Sequence, residues 1–167
     1  ILGLASTGLH TNGYSLARHV IFERAGLALS DPAWDEPGAP TVAEELLRPS
    51  VIYAPAIRAL CGEVEVHSIA HITGGGIGGN LNRVLSSSTD ATVERGSWES
   101  PRIFGEIQRL GGISDDEMAK VFNLGIGMIV AVPGAVAQRA IEVLAAVGQK
   151  ASVVGEIVEG SGLVHLR

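Results

Sequence analysis

The 167-residue chain holds a single cysteine, Cys61, which excludes an intramolecular disulfide framework and any multi-cysteine metal site. Aromatic residues are scarce; Trp34, Trp98, Tyr14, Tyr53, Phe22, Phe104 and Phe122 are the whole set. Basic side chains are outnumbered, 12 against 18 acidic, giving a net charge of −6 and a pI near 5.3. Nucleic-acid phosphates are held by clustered Lys and Arg, so this balance argues against a nucleic-acid partner. The roughly 18 consecutive apolar residues of a spanning helix are also missing. The most apolar stretch, Leu124 to Ala137, is broken by Gly125, Gly127, Pro133 and Gly134, so no membrane partner is expected. No signal peptide is visible, and a start of Ile1-Leu2-Gly3 without Met suits a trimmed piece of something longer. A cytoplasmic globular domain is the expectation, and residues 1–167 suit one domain, above the roughly 80 residues below which cores need staples.

Glycine is abundant instead, 22 of 167 residues and near twice its usual ~7% share. A Val, Ile, Leu and Ala core with many tight turns points to an α/β (α+β-like) protein. Ile1 to Ala5 reads as a strand entering the polar turn Ser6 to Gly13, followed by a helix from Tyr14 to Ala25 that stops at Gly26. Four of the seven prolines crowd residues 31 to 50, read as a surface excursion with a short helix at Val42 to Leu47. A helix at Ala54 to Cys61, with Cys61 in the core, leads to a strand over Val64 to Thr73 and then to Gly74–Gly79. A helix to about Leu85 and a strand at Ala91 to Glu94 follow. Ser100-Pro101 reads as a cap with proline in the first helical turn, and Ser114-Asp115-Asp116-Glu117 as a capping box. A buried-type strand at Gly127 to Val132 and an amphipathic helix at Val136 to Val147 precede two strands, Ala151 to Val158 and Leu163 to Leu166. Glu159 to Gly162 would join these as a hairpin turn. Together these elements predict a mixed β-sheet covered by helices.

The turn Ser6 to Gly13 is the first candidate site. Small residues before a helix leave backbone N–H groups free to meet an anion, and His10, Asn12, Ser15 and Arg18 add donors around it. An ordinary capped turn with Arg18 in a surface ion pair accounts for the same residues. His71-Ile72-Thr73-Gly74-Gly75-Gly76 is the second, with bare glycine backbone at a strand's end. Gly74, Gly76 and Gly79 also fit G-x-G-x-x-G, with Glu94 at a strand end downstream, so a dinucleotide-binding domain is an alternative. Against it stand a short helix carrying Asn80, Asn82 and Arg83 and the polar His71 and Thr73. His71 reads equally as a proton-transfer or donor group and as a buried structural histidine. His67 and His71 on one strand would lie about 13 Å apart, too far to share an ion, so no metal site is expected. His19 and His165 read as solvated, and Phe122-Asn123-Leu124-Gly125-Ile126-Gly127-Met128 as mainly a tight chain approach in the sheet.

These clusters, in this order, resemble the phosphoribosylformylglycinamidine cyclo-ligase (aminoimidazole ribonucleotide synthetase) family. The matching strings are Gly3 to Arg18, Ala70 to Gly76, Arg95-Gly96-Ser97-Trp98, Phe122 to Met128 and Val154 to Ile157. Only the carboxy-terminal half of that enzyme is resembled, so the fold implied is the C-terminal domain of the AIR synthetase-related superfamily. The resemblance implies ATP-dependent closure of the imidazole ring of formylglycinamidine ribonucleotide in purine biosynthesis. The amide oxygen is phosphorylated and the neighbouring nitrogen displaces phosphate. It further implies that the amino-terminal half, absent here, builds the homodimer and most of the ATP and Mg2+ site, and that this chain alone is inactive. A non-catalytic ribonucleotide-binding module is the other reading. Carried across by position, His10 and His71 would orient the reacting amide. Asn12, Ser15 and Arg18 would hold polar or phosphate groups. Ser6, Thr7, Gly8, Gly13 and Thr73 would line the substrate side, and the N–H groups of Gly74, Gly75 and Gly76 would bind oxyanions. The family's Ser-Ser-Gly-Pro-His-Ser-Asn-Gly reads Ser6-Thr7-Gly8-Leu9-His10-Thr11-Asn12-Gly13 here, with hydroxyls kept at both altered serines.

Overall fold

Leu2, Leu4, Met128 and Val130 alternate with residues of opposite facing, and that period of two sets the central sheet. The computed structural model describes residues 1–167. In chain order it runs β1 (Leu2–Ala5), α1 (Tyr14–Arg18), α2 (Val42–Leu46), α3 (Ala54–Glu63), β2 (Ser68–His71), α4 (Gly76–Leu81) and β3 (Thr89–Val93). Then come α5 (Arg102–Gly111), α6 (Asp115–Val121), β4 (Ile126–Ala131), α7 (Ala137–Ala146), β5 (Ala151–Val153), β6 (Gly155–Glu159) and β7 (Val164–Leu166). No helix is long and apolar enough to cross a membrane.

The strands form two sheets rather than one. The first, in the order β2-β4-β1-β5, is antiparallel throughout; the second, β6-β3-β7, is mixed. Leu2 and Leu4 face Leu60, Ala140 and Leu144 of α3 and α7 on one side of the first sheet. Ile126 and Ile129 turn the other way, onto Ile77 and Leu81 of α4 and Val93 of the second sheet. A third core gathers Ala17, Val20, Phe104, Ile107 and Phe122 from the helices. Each core seats one of the glycine-rich loops or the strand feeding it, so packing holds those loops in place.

The last segment departs most from its sequence pattern. Ala151 to Val158 is two strands, parted at the buried Val154, and each joins a different sheet. The expected hairpin between β6 and β7 does not form, because β3 lies between them. Asp90 of β3 explains the intrusion. Its Oδ1 accepts from the N–H groups of Ser161 (2.7 Å) and Leu163 (2.8 Å), and its Oδ2 meets His165 Nε2 at 3.1 Å. A side chain on Gly160 would strike the Asp90 carboxyl at 2.1 Å, so glycine lets the loop close around it.

Other boundaries shift for local reasons. The helix begun at Tyr14 widens to a π-helical turn over His19–Arg24, with Ala25 N–H donating to Val20 O. The strand expected over Val64 to Thr73 shortens to Ser68–His71, in register with β4, with His67 and Ile72 adding one N–H bond each to it. Val64 and Val66 pack instead on the α3–α7 core. α5 starts at Arg102 with Pro101 in the cap position, so Ser100 is not its cap, whereas Ser114 accepts from Glu117 N–H as the α6 cap. Cys61 is exposed rather than core, because α3 continues to Glu63 and turns that position to solvent.

The two backbone N–H bonds and His165 hold the Asp90 carboxyl at about 2, below its ordinary 3.8. A depressed folded-state value contributes stability that is complete above the unfolded value and lost as pH falls through the folded one. We therefore expect Asp90→Asn to lower stability at neutral pH, with the gap from wild type closing as pH falls from 3.8 towards 2, measured by urea unfolding at stepped pH.

Candidate functional site

The Ser6–Gly13 turn has almost no regular hydrogen bonding of its own, and a buried asparagine supplies it. Asn123, 1% exposed, accepts from Ser6 Oγ (2.8 Å) and from Gly125 N–H (2.8 Å) at Oδ1. Its Nδ2 donates to Gly8 O at 2.9 Å and Leu9 O at 3.4 Å. Ser6, expected on the substrate side, is buried with its hydroxyl bonded to the scaffold. Thr7 lies exposed with its hydroxyl donating to Pro49 O (2.7 Å). Gly8 is buried in the turn, beside the carboxylate of Glu45. Burial raises the Glu45 carboxyl above its ordinary range, against the pull of Arg48 at 2.7 Å. Gly13 begins α1 at φ 74°, and an added Cβ would sit 2.3 Å from the Phe122 ring.

A second asparagine organises the other loop. Asn80, 4% exposed, donates through Nδ2 to the carbonyls of Gly76 (2.8 Å), Thr73 (3.2 Å) and Gly74 (3.3 Å). Its Oδ1 accepts from Thr73 Oγ1 at 3.1 Å, so the Thr73 hydroxyl, expected on the substrate side, donates to the scaffold. Nor are three N–H groups open in this loop. Gly74 N–H donates to Asn12 Oδ1 (3.2 Å) and Gly76 N–H to Thr73 O (3.1 Å), leaving that of Gly75 without an intrachain partner. The oxyanion cradle expected over Gly74–Gly76 is thus one backbone donor. Gly76 packs so tightly on α6 that a Cβ would lie 1.8 Å from Ala119 O.

The Asn12–Gly74 bond joins the two loops across 62 residues of sequence. Beside it His10, Tyr53 and His71 form a row of rings, with centroids 6.1 Å apart for the first pair and 6.3 Å for the second. Tyr53 had no motif to mark it; its hydroxyl donates to Ala5 O (2.9 Å), and burial raises its phenol above the ordinary range. His10 is buried and His71 exposed. Burial, and then the nearby His71 imidazole, hold His10 below the ordinary histidine range. The row has room because β4 bulges at Gly127. Leu4 pairs with Met128 and Ala5 with Ile126, leaving Gly127 opposite no residue. A Cβ there would lie 2.1 Å from Tyr53 Oη and 2.9 Å from His10 Cε1.

Ser15 and Arg18 are exposed on α1, and Arg18 makes no ion pair, so the surface-pair account of it does not hold. An open cleft of about 400 Å³ lies against His10, Thr11, Tyr14, Arg48 and Ser50. The dinucleotide reading fails on topology. β2 and β3 flank the glycines but belong to different sheets, so no parallel β-α-β unit exists to hold a pyrophosphate.

Residues 1–166 match the family described as AIR synthase related protein, C-terminal domain. The phosphoribosylformylglycinamidine cyclo-ligase of Desulfatibacillum aliphaticivorans is 46% identical over 157 residues, 94% of this chain and 45% of the relative. That of Sorangium cellulosum is 47% identical over 161 residues, 95% of this chain and 45% of the relative. The chain thus spans about half the length of the curated relatives it matches. Among solved structures, the thiamine-monophosphate kinase of Stenotrophomonas maltophilia superposes with a TM-score of 0.61 over 99% of this chain and 49% of its own. At 15% identity that likeness concerns the fold alone.

Removing the Asn123 carboxamide strands the Gly125 N–H in the interior and leaves the Ser6 hydroxyl and the Gly8 carbonyl only each other, at 3.2 Å. Asn123→Ala is expected to cost on the order of 3 kcal/mol in urea unfolding. Gly127→Ala should cost about 1–3 kcal/mol by the same measurement, as Tyr53 and His10 are pushed aside.

Proposed function

This chain belongs to the AIR synthase related protein C-terminal domain family, and on that premise we propose that it is the substrate-side half of an ATP-dependent ring-closing ligase. The substrate is formylglycinamidine ribonucleotide and the product aminoimidazole ribonucleotide. The observation that carries this reading is the Asn12–Gly74 hydrogen bond, which brings two glycine-rich loops and the His10–Tyr53–His71 row to one place.

The donors suit the ligand's chemistry. An unpaired Arg18 and the side chain of Ser15 offer positive charge and a hydroxyl to the ribose phosphate, while Gly75 N–H offers one backbone donor to an oxyanion. His10 and His71 both lie beside the Tyr53 ring, and the reacting amide is assigned to their neighbourhood. Asn12 acts from behind, one lone pair of its oxygen taken by Gly74 N–H, with Nδ2 open to the ligand. Holding the amide and its attacking nitrogen together supplies proximity, the larger part of what a ring closure needs from a protein.

No group of three His, Cys, Asp or Glu side chains is gathered on this chain, and ATP with its Mg2+, an ion usually held by one or two carboxylates together with substrate phosphates and water, is assigned mostly to the amino-terminal half. That half would also be this chain's main partner and would form the homodimer in the cytoplasm. No catalytic step completes on this chain alone.

Calorimetric titration of the chain with formylglycinamidine ribonucleotide, without ATP, tests the reading. Saturable binding that weakens with salt is expected, and Arg18→Ala should lose about tenfold in affinity, roughly 1.4 kcal/mol. An Arg18→Ala chain binding as tightly as wild type would remove Arg18 from the phosphate site.

A further inference from the structure

The imidazole of His10 is held by backbone, and that fixes where its proton lies. The N–H groups of Thr7 and Val51 both point at Nε2, at 3.3 and 3.4 Å. An N–H can donate only to a lone pair, so Nε2 carries no proton, and the single proton of the neutral ring sits on Nδ1. Turning the ring over would put Cε1, a C–H group, against both amides. Protonating Nε2 would set one donor against two and strand Thr7 and Val51. Both alternatives cost the same pair of hydrogen bonds.

The backbone at His10 adds a second constraint. Its φ is 55°, in the left-handed region that few non-glycine residues occupy, and the turn holds it there. Nδ1 has no hydrogen-bond partner in the chain and is not sealed from solvent. The open cleft of about 400 Å³ lies against this residue. A directed donor is thus left unused at the end of a turn that two backbone amides and Asn123 keep rigid.

We infer that His10 serves as a neutral, tautomer-locked Nδ1–H donor to an acceptor oxygen of the bound ligand, and neither as a general base nor as a cation. On the function proposed above, on which the ligand's identity rests, that acceptor is the oxygen of the reacting amide. His71, by contrast, is exposed and has no such backbone anchors.

Long-range proton–nitrogen correlation spectra of the histidine rings test the tautomer in the unliganded chain. The His10 pattern should be that of the Nδ1–H form and persist between about pH 6 and pH 8. An Nε2–H pattern, or an imidazolium at neutral pH, would overturn the inference. The donor's use is tested by titrating the same sample with formylglycinamidine ribonucleotide and, separately, with formamide as the bare amide acceptor. A shift of the Nδ1–H signal with either supports it, and a signal that neither moves sinks it. Formamide alone moving the signal would retain the donor and reject the ribonucleotide reading.

Two substitutions separate anchoring from donation. In His10→Gln the carboxamide oxygen can accept from Thr7 and Val51, but nothing donates from the δ position. In His10→Asn the amide nitrogen takes the δ position and the two backbone amides lose their acceptor. The Gln chain should melt near wild type yet bind the ribonucleotide about tenfold more weakly, while the Asn chain melts lower and keeps more of its affinity. A Gln chain binding as wild type does would reject the donor role.

Discussion

The side-chain amide of Asn123 is the interaction on which the site depends. A turn that must leave its outward N–H groups available cannot spend them on a helix or sheet, so its inward polar groups need partners from elsewhere. One buried carboxamide, with two acceptor lone pairs and two N–H donors, meets Ser6, Gly125, Gly8 and Leu9 together. A hydrophobic residue of similar size would pack as well and satisfy none of them. The family string Phe122 to Met128 thus concerns the site indirectly. Its asparagine holds the turn that carries His10, and its Gly127 makes room for the ring.

Asn80 repeats this arrangement for the second loop, reaching the carbonyls of Thr73, Gly74 and Gly76. The two loops then meet through Asn12, whose oxygen takes up the N–H of Gly74. The glycines between 74 and 76 are needed less for open donors than for close approach. Gly76 lies against the α6 backbone where no Cβ fits, and only Gly75 retains a free N–H. The loop thus offers few open donors but holds them in fixed positions, and such preorganisation lowers the cost of ordering a binding site.

The two histidines differ because their surroundings differ. His10 is buried, anchored at Nε2 and kept neutral by desolvation and by the second imidazole. His71 ends a strand at the surface, with the Tyr53 ring between them. Burial penalises the charged form of His10. The Gly127 bulge makes that possible, since an ordinary strand residue would fill the place of the Tyr53 hydroxyl.

Much of this was legible in the chain read as a string. Helix stripes, the Ser114 cap, the short helix after the proline-rich stretch and the two glycine-rich turns are local patterns, set by steric and hydrogen-bonding preferences over a few residues. The family strings likewise marked His10, Asn12, His71 and the Gly74 loop as one group. What periodicity could not reveal was pairing. β3 lies between β6 and β7 where a hairpin was expected, because the Asp90 carboxylate wins the loop's N–H groups. Ser6 and Thr73 look like ligand contacts in the sequence, and in the fold their hydroxyls donate to asparagines 117 and 7 residues away. Tyr53 bears no motif at all. Local sequence decided which segments could turn, cap and coil. Only the folded chain, by bringing distant donors and acceptors within 3 Å or so, decided which polar atoms were spent on the fold and which remained for a ligand.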